Sequence, residues 1–169
     1  MSAILLIGFM ACEGKHQNEP VDQDETPSDE TIQDDFVDLG LPSGTKWKRQ
    51  NESNSQNPDG FYTFNEAVRV FGNKLPTKEQ WEELIYNCSW EWSSNGYKVT
   101  GTNNNFIILP ALGFYNSKYD TKSNPLWYGY YWSSTPDGLE HAKILYFYSS
   151  SVRINSQNRS DGCSIRLVR

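Results

Sequence analysis

A short apolar run followed by a long acidic stretch divides this chain into two unequal parts. The run covers residues 4–11, contains one glycine among apolar residues, and ends directly before Cys12. It is too short to span a bilayer as a helix, which takes about 20 residues. Its length is instead typical of the apolar core of a secretory signal. The alternative interpretation is a buried N-terminal strand, although no pattern of a fold follows Cys12.

The residues around Cys12 resemble the lipobox of bacterial lipoproteins, in which a small residue, here Ala11, precedes the cysteine that becomes acylated. The resemblance implies that residues 1–11 are a lipoprotein signal peptide and that Cys12 carries lipid. It also implies that the protein is exported and contacts a membrane through this anchor only. The expected location is the outer membrane, with the protein exposed at the cell surface.

The acidic stretch after Cys12 is predicted to be a tether. Residues 13–35 contain nine acidic residues and one lysine. A segment with this charge and so few apolar residues cannot bury enough surface to offset the entropy lost on ordering. We therefore predict that 12–35 is a lipidated cysteine with a disordered acidic spacer. Acidic residues at this place also resemble the surface-export signal of Bacteroidetes lipoproteins, and a plain solvated spacer explains them equally well.

Residues 36–169 have the composition of one folded domain. They carry 12 acidic and 14 basic side chains, and they are rich in aromatic residues. The net charge is near neutral and the basic residues are scattered, so the sequence does not indicate a basic surface that would bind nucleic acid. No second apolar run approaches the length of a membrane span.

Two helices are predicted early in this domain by paired capping signals. Thr63 with Glu66, and Thr77 with Gln80, have the spacing of a capping box. The first helix is expected to end at Gly72, which is typical of a helix end. The apolar side chains expected on the inner faces of the two helices are Phe64, Ala67, Val68 and Phe71, and then Trp81, Leu84, Ile85 and Cys88.

The remaining pattern predicts strands. Alternation indicates one hairpin within 36–48 and another around Asn95-Gly96. The continuous apolar run 106–109 predicts a strand buried on both faces. Later strands are expected at 112–116, 128–134, 142–149, 152–156 and 163–168, so the fold class is α+β and loop-rich. The side chains predicted to form the core include Trp47, Trp81, Trp90, Leu109 and Trp132.

Five segments occur in an order that resembles the Fibrobacter succinogenes major paralogous domain, found in exported Bacteroidetes proteins. These segments are 37–47, 75–84, 108–111, 131–135 and 162–168. The resemblance covers nearly all of 36–169 and implies a C-type-lectin-like fold, akin to formylglycine-generating enzymes and retroelement variable proteins. In that fold two helices flank a small, twisted, mostly antiparallel sheet, and the last strands lie beside the ligand face.

We find no catalytic or metal-binding constellation in the sequence, and we expect no cofactor. His16 and His141 are isolated, and no metal or phosphate motif occurs. Cys88 and Cys163 are either joined, as export would permit, or buried as separate thiols. The formylglycine-generating relatives depend on a reactive cysteine pair, for which these two are the candidates. An enzyme of that kind is therefore one alternative function.

The C-terminal strands carry the residues that we predict to bind a ligand. Alternation sends Leu145 and Phe147 inward and their neighbours outward. The predicted ligand-binding residues are Ile144, Tyr146, Tyr148, Arg153, Asn155, Arg159 and Asp161. Exposed tyrosine, asparagine and arginine are typical of binding loops, although ordinary strand exteriors look similar. The expected function is a lipid-anchored module that binds a glycan or a host or bacterial surface protein; a fimbrial or envelope structural subunit is a further alternative.

Overall fold

The computed structural model describes residues 34–169. The predicted signal peptide, Cys12 and nearly all of the tether lie outside the described residues. Residues 34–169 form two short α-helices and ten strands in four antiparallel sheets, with the helices early and most strands late. The predicted combination of antiparallel strands and two early helices is therefore confirmed. Within this range no helix is long and apolar enough to cross a membrane.

Both helices begin at the predicted capping boxes. Helix α1, Phe64–Phe71, begins after Thr63, whose backbone N–H donates to the Glu66 carboxylate at 2.9 Å. Helix α2, Lys78–Asn87, begins after Thr77, whose N–H donates to Gln80 Oε1 at 2.9 Å. A short 3-10 turn, Gly72–Lys74, follows α1. Helix α1 buries a narrower face than predicted, because Val68 is exposed.

The first five strands form two separate sheets. Strands β1, Phe36–Asp38, and β2, Lys46–Lys48, pair as the predicted hairpin. Strands β3, Ser89–Ser93, β4, Gly96–Thr100, and β5, Phe106–Pro110, form a three-stranded sheet in that order. The prediction that β5 is buried on both faces is wrong. Phe106 and Ile108 are exposed, because none of the described elements covers the outer side of this sheet at β5.

The later strands form a small hairpin and the main sheet. Strands β6, Phe114–Asn116, and β7, Thr121–Ser123, pair with each other, and β7 was not predicted. Strands β8, Gly129–Asp137, β9, His141–Tyr148, and β10, Ser151–Asn158, form a sheet in the order β10-β9-β8. Residues 163–168 make single bridges instead of the predicted regular strand, but all of them are buried.

The core consists of two aromatic clusters. In the first, Trp47 lies against Trp81 of α2, with ring centroids 4.5 Å apart. In the second, Phe64 of α1 lies against Trp132 of β8, with centroids 5.5 Å apart. Of the five predicted core residues, only Trp90 is not fully buried. Trp90 lies on the edge strand β3, which leaves one side of its ring open.

Candidate binding surface

One face of the main sheet carries a group of aromatic side chains. Tyr146 on β9 lies directly opposite Tyr130 on β8 and Arg153 on β10, so these three side chains share a face. Tyr148 follows on β9, and Tyr128 directly precedes β8. We call Tyr128, Tyr146, Tyr148 and Arg153 the tyrosine patch. Tyr130 is buried beneath it.

The rings of the patch support one another. Tyr128 stacks on Tyr146, with centroids 5.8 Å apart and an interplanar angle of 22°. The Tyr148 ring lies 5.6 Å from that of Tyr128 and 6.0 Å from that of Tyr146. Beneath them, Tyr130 contacts Tyr146 at 5.1 Å. Such contacts add to area burial and fix ring orientation, so the patch is a preformed platform.

The polar groups of the patch have no partners among residues 34–169. Arg153 lies over the Tyr146 ring, with Cζ 5.0 Å from the centroid. Among the residues that the structure describes, its guanidinium makes no hydrogen bond and no ion pair. The hydroxyls of Tyr128, Tyr146 and Tyr148 likewise have no hydrogen-bond partner in 34–169. Donors and planar rings therefore face solvent together.

The phenols of Tyr146 and Tyr130 are uncharged at neutral pH. Burial raises the pKa of Tyr146, with a further contribution from Tyr128 and opposition from Arg153. Burial also raises the pKa of Tyr130 to about 12. The guanidinium therefore carries the charge of the tyrosine patch.

A loop beside the patch exposes two further apolar side chains. Leu126 is 53% exposed and Trp127 is 70% exposed, directly before Tyr128. Leu126 has a φ of 68°, in the left-handed region that costs an ordinary residue about 1–2 kcal/mol. Its backbone N–H donates to Ala111 O at 2.7 Å. The loop is thus held in a strained conformation that presents apolar groups to solvent.

This loop forms one wall of a groove. The groove has a volume of about 320 Å³ and is lined by Trp92, Ser94, Asn95, Leu126, Trp127 and Ser149. Ser149 directly follows Tyr148 in the chain, but no residue of the tyrosine patch lines the groove. Its wall residue Trp92 contacts Phe147, whose side chain alternates with those of Tyr146 and Tyr148 along β9. Sequence reasoning missed Leu126, Trp127 and Tyr128. The available signal was the turn Asn124-Pro125 followed by two large apolar residues within a polar loop.

The structure brings four of the seven predicted binding residues together. Tyr146, Tyr148, Arg153 and Asn155 share the same face of the sheet. The prediction that Ile144 faces solvent is wrong. It points to the same side as Tyr146, but this end of the face is covered by the second aromatic cluster, which buries Ile144 completely.

Arg159 and Asp161 lie elsewhere. Arg159 is six residues beyond Arg153, about 20 Å along the strand direction. Its guanidinium donates to His141 O at 3.0 Å and Gly138 O at 2.9 Å. Asp161 is buried and accepts from Ser117 N at 3.0 Å and Gln157 Nε2 at 2.6 Å. Both residues hold loops in place, so the prediction of one patch containing them is wrong.

The two cysteines of the domain are free thiols. A disulfide, one of the two predicted arrangements, does not form because Cys88 packs on the first aromatic cluster and Cys163 lies inside the second. Burial raises the pKa of Cys88 to about 11 and that of Cys163 well above its usual value. Within 34–169, no group of three or more His, Cys, Asp or Glu residues could hold a metal ion.

Comparison with known proteins gives one similarity. Residues 90–168, just under half of the chain, match a family described as a domain of unknown function, DUF8237. The matched segment begins in β3 and contains the whole tyrosine patch. No curated protein matches the chain, and no solved structure matches it.

Proposed function

We propose that this protein is a lipid-anchored, non-enzymatic binding module of the cell surface that recognises a glycan. The observation that carries the proposal is the tyrosine patch, where half-buried planar rings and an exposed guanidinium offer hydrogen-bond donors that have no partner among residues 34–169. The C–H face of a sugar ring packs on aromatic rings, while its hydroxyls pair with phenol, amide and guanidinium groups. Tyrosine, asparagine and arginine serve both needs at low conformational cost.

The size of the surface favours a glycan over a protein ligand. The groove of about 320 Å³ is at the small end of the range for ligand pockets. A typical protein partner would instead bury about 800 Å² on each side. A protein ligand is the alternative outcome of the test below.

We also propose that the fold is C-type-lectin-like and that Cys12 is the lipid anchor. The two early helices, the late antiparallel strands and the position of the patch on those strands support the lectin-like fold. The apolar run before Cys12 and the acidic stretch after it support the anchor.

The properties of the thiols favour binding over the enzyme related to formylglycine-generating proteins. Those relatives depend on a reactive pair of cysteines, and the thiolate is the reactive form of cysteine. Cys88 and Cys163 occupy different clusters, and burial keeps both protonated at neutral pH.

A glycan array probed with the full-length protein tests the proposal. Tyr148→Ala and Trp127→Ala are the informative variants, because Tyr146 supports its neighbours and its removal would also disturb the sheet. Each variant should weaken binding about tenfold, which corresponds to about 1.4 kcal/mol.

The matched control is Tyr86→Ala, which removes a tyrosine that is 81% exposed on α2, outside the patch. It should bind as the wild type does. The proposal fails if the array shows no glycan ligand, or if Tyr148→Ala and Trp127→Ala bind the identified glycan normally. Capture of a protein instead of a glycan would also reject it.

A further inference from the structure

We propose that the tyrosine patch selects acidic glycans, with Arg153 as the group that binds a carboxylate on the sugar. This inference rests on the proposed function and adds the chemical class of the ligand. The shared chemistry is a sugar ring bearing a carboxylate, as in a uronic acid or a sialic acid.

Arg153 differs from most other arginines of the domain in having no hydrogen-bond or ion-pair partner among the described residues. Arg49 donates to Asp34 O, Arg159 donates to two carbonyls, and Arg166 is buried among carbonyl groups. Arg153 contacts only the Tyr146 ring among residues 34–169. Stacking on an aromatic face orients a guanidinium plane, so the donors of Arg153 are positioned before any ligand arrives.

The charge around Arg153 favours an anion. The pKa of the Tyr146 phenol beneath Arg153 is raised, so this phenol is neutral; Asn155 is neutral, and no described carboxylate pairs with Arg153. A guanidinium matches the two oxygens of a carboxylate with parallel hydrogen bonds, which are roughly twice as strong as neutral ones. A carboxylate is therefore the ligand group that complements this position best.

The neighbouring rings then define where the sugar lies. Arg153 itself covers one face of Tyr146, so the sugar ring cannot use that face. The ring of Tyr148 lies 6.0 Å from that of Tyr146, and Tyr128 lies 5.6 Å from Tyr148. A sugar whose carboxylate binds Arg153 can therefore pack on Tyr148 and extend along the patch toward Tyr128.

Calorimetry with two forms of one oligosaccharide tests this inference on the full-length protein. The probes are tetragalacturonic acid and its fully methyl-esterified form, which keeps the sugar rings and removes the charge. The wild type should bind the acid about tenfold more tightly, as expected for one good charge-assisted contact. That preference should shrink between about 0.05 M and about 0.5 M salt, because salt screens exposed charges.

Variants assign the preference to one residue. The Arg153→Gln variant should bind the acid and the ester with equal affinity. The Arg153→Lys variant should retain part of the preference for the acid, because lysine keeps the positive charge but lacks the two parallel donors of a guanidinium. Arg69→Gln removes an exposed arginine from α1 and should behave as the wild type. The same titrations are made with a sialylated trisaccharide and its carboxyl-reduced form, which identifies the sugar acid that the protein prefers.

The outcomes separate this inference from the proposed function. Equal wild-type affinity for acid and neutral forms overturns the inference, as does a preference that survives in Arg153→Gln. Failure to bind either acid also overturns it. A neutral glycan whose binding requires Tyr148 and Trp127 but not Arg153 would support the proposed function. It would reject the inference that the patch selects acidic glycans.

Discussion

Arg166 donates from Nη2 to the side-chain oxygen of Asn51 at 2.7 Å, across a separation of 115 residues. The same guanidinium donates to Ile108 O at 2.6 Å and to Lys48 O at 2.8 Å. Arg166 is only 1% exposed. It therefore joins the end of the chain to β2, to the loop after β2 and to β5. Burial lowers the pKa of this guanidinium, because a charge removed from water is costly unless polar groups surround it.

Arg166→Met should strongly destabilise the domain. Each buried carbonyl left without a donor costs about 1–3 kcal/mol, so we expect a loss of about 3–5 kcal/mol in the free energy of unfolding. Urea unfolding of the full-length protein measures it. Arg69→Met, on the exposed side of α1, should change stability by less than about 0.5 kcal/mol. A loss below about 1 kcal/mol for Arg166→Met would contradict the network.

The sequence predicted elements whose cause is local. Thr63 with Glu66 and Thr77 with Gln80 satisfy backbone groups within one helical turn, so both helix starts were predictable. The hairpin at Gly96 was predictable for the same reason. The role of Arg166 was not, because its partners are distant in sequence and an arginine near a chain end reads as a surface residue.

For the binding surface too, only features with a local cause could be predicted from the sequence. Alternation placed Tyr146 and Tyr148 on one face correctly, since the period of a strand is local. It could not show that Ile144, on that same face, is covered by the cluster around Trp132. Whether a position on a face is covered depends on how separate elements pack, which no pattern within one strand records. Trp127 was missed because its exposure depends on the path of a loop.

Alkaline pH should weaken the fold through its buried thiols and phenols. Burial raises the pKa of Cys88 from 9.0 to about 11 in the folded protein. Below pH 9 the thiol is protonated in both states, and above it the unfolded state loses the proton first. Stability should therefore fall as pH rises between 9 and about 11. Cys88→Ala should make that decline shallower in urea unfolding measured at several pH values; an unchanged decline would show that Cys88 ionises equally in both states.

The proposed lipid anchor depends on Cys12. Cys12→Ala should abolish incorporation of labelled fatty acid and release the protein from the membrane fraction, because the thiol is the attachment point. Cys88→Ala serves as the control, since it also removes a cysteine but should leave labelling unchanged. Equal labelling and membrane retention in Cys12→Ala would reject the anchor.

Leu126 should show a trade-off between stability and binding. Its left-handed backbone is strained for leucine, and asparagine adopts this conformation more readily. Because the side chain is 53% exposed, Leu126→Asn loses little burial and should raise the free energy of unfolding by up to about 1 kcal/mol.

The same substitution removes an apolar wall of the groove beside Trp127, so affinity for the glycan identified on the array should fall several-fold. Leu139→Asn is the matched control, because it replaces a leucine that is 93% exposed and has no left-handed backbone. It should change neither the free energy of unfolding nor the affinity for the glycan. Strain that persists at an exposed position is typical of functional sites. A variant at Leu126 that gains stability and binds with full affinity would show that the strained loop has no part in ligand recognition.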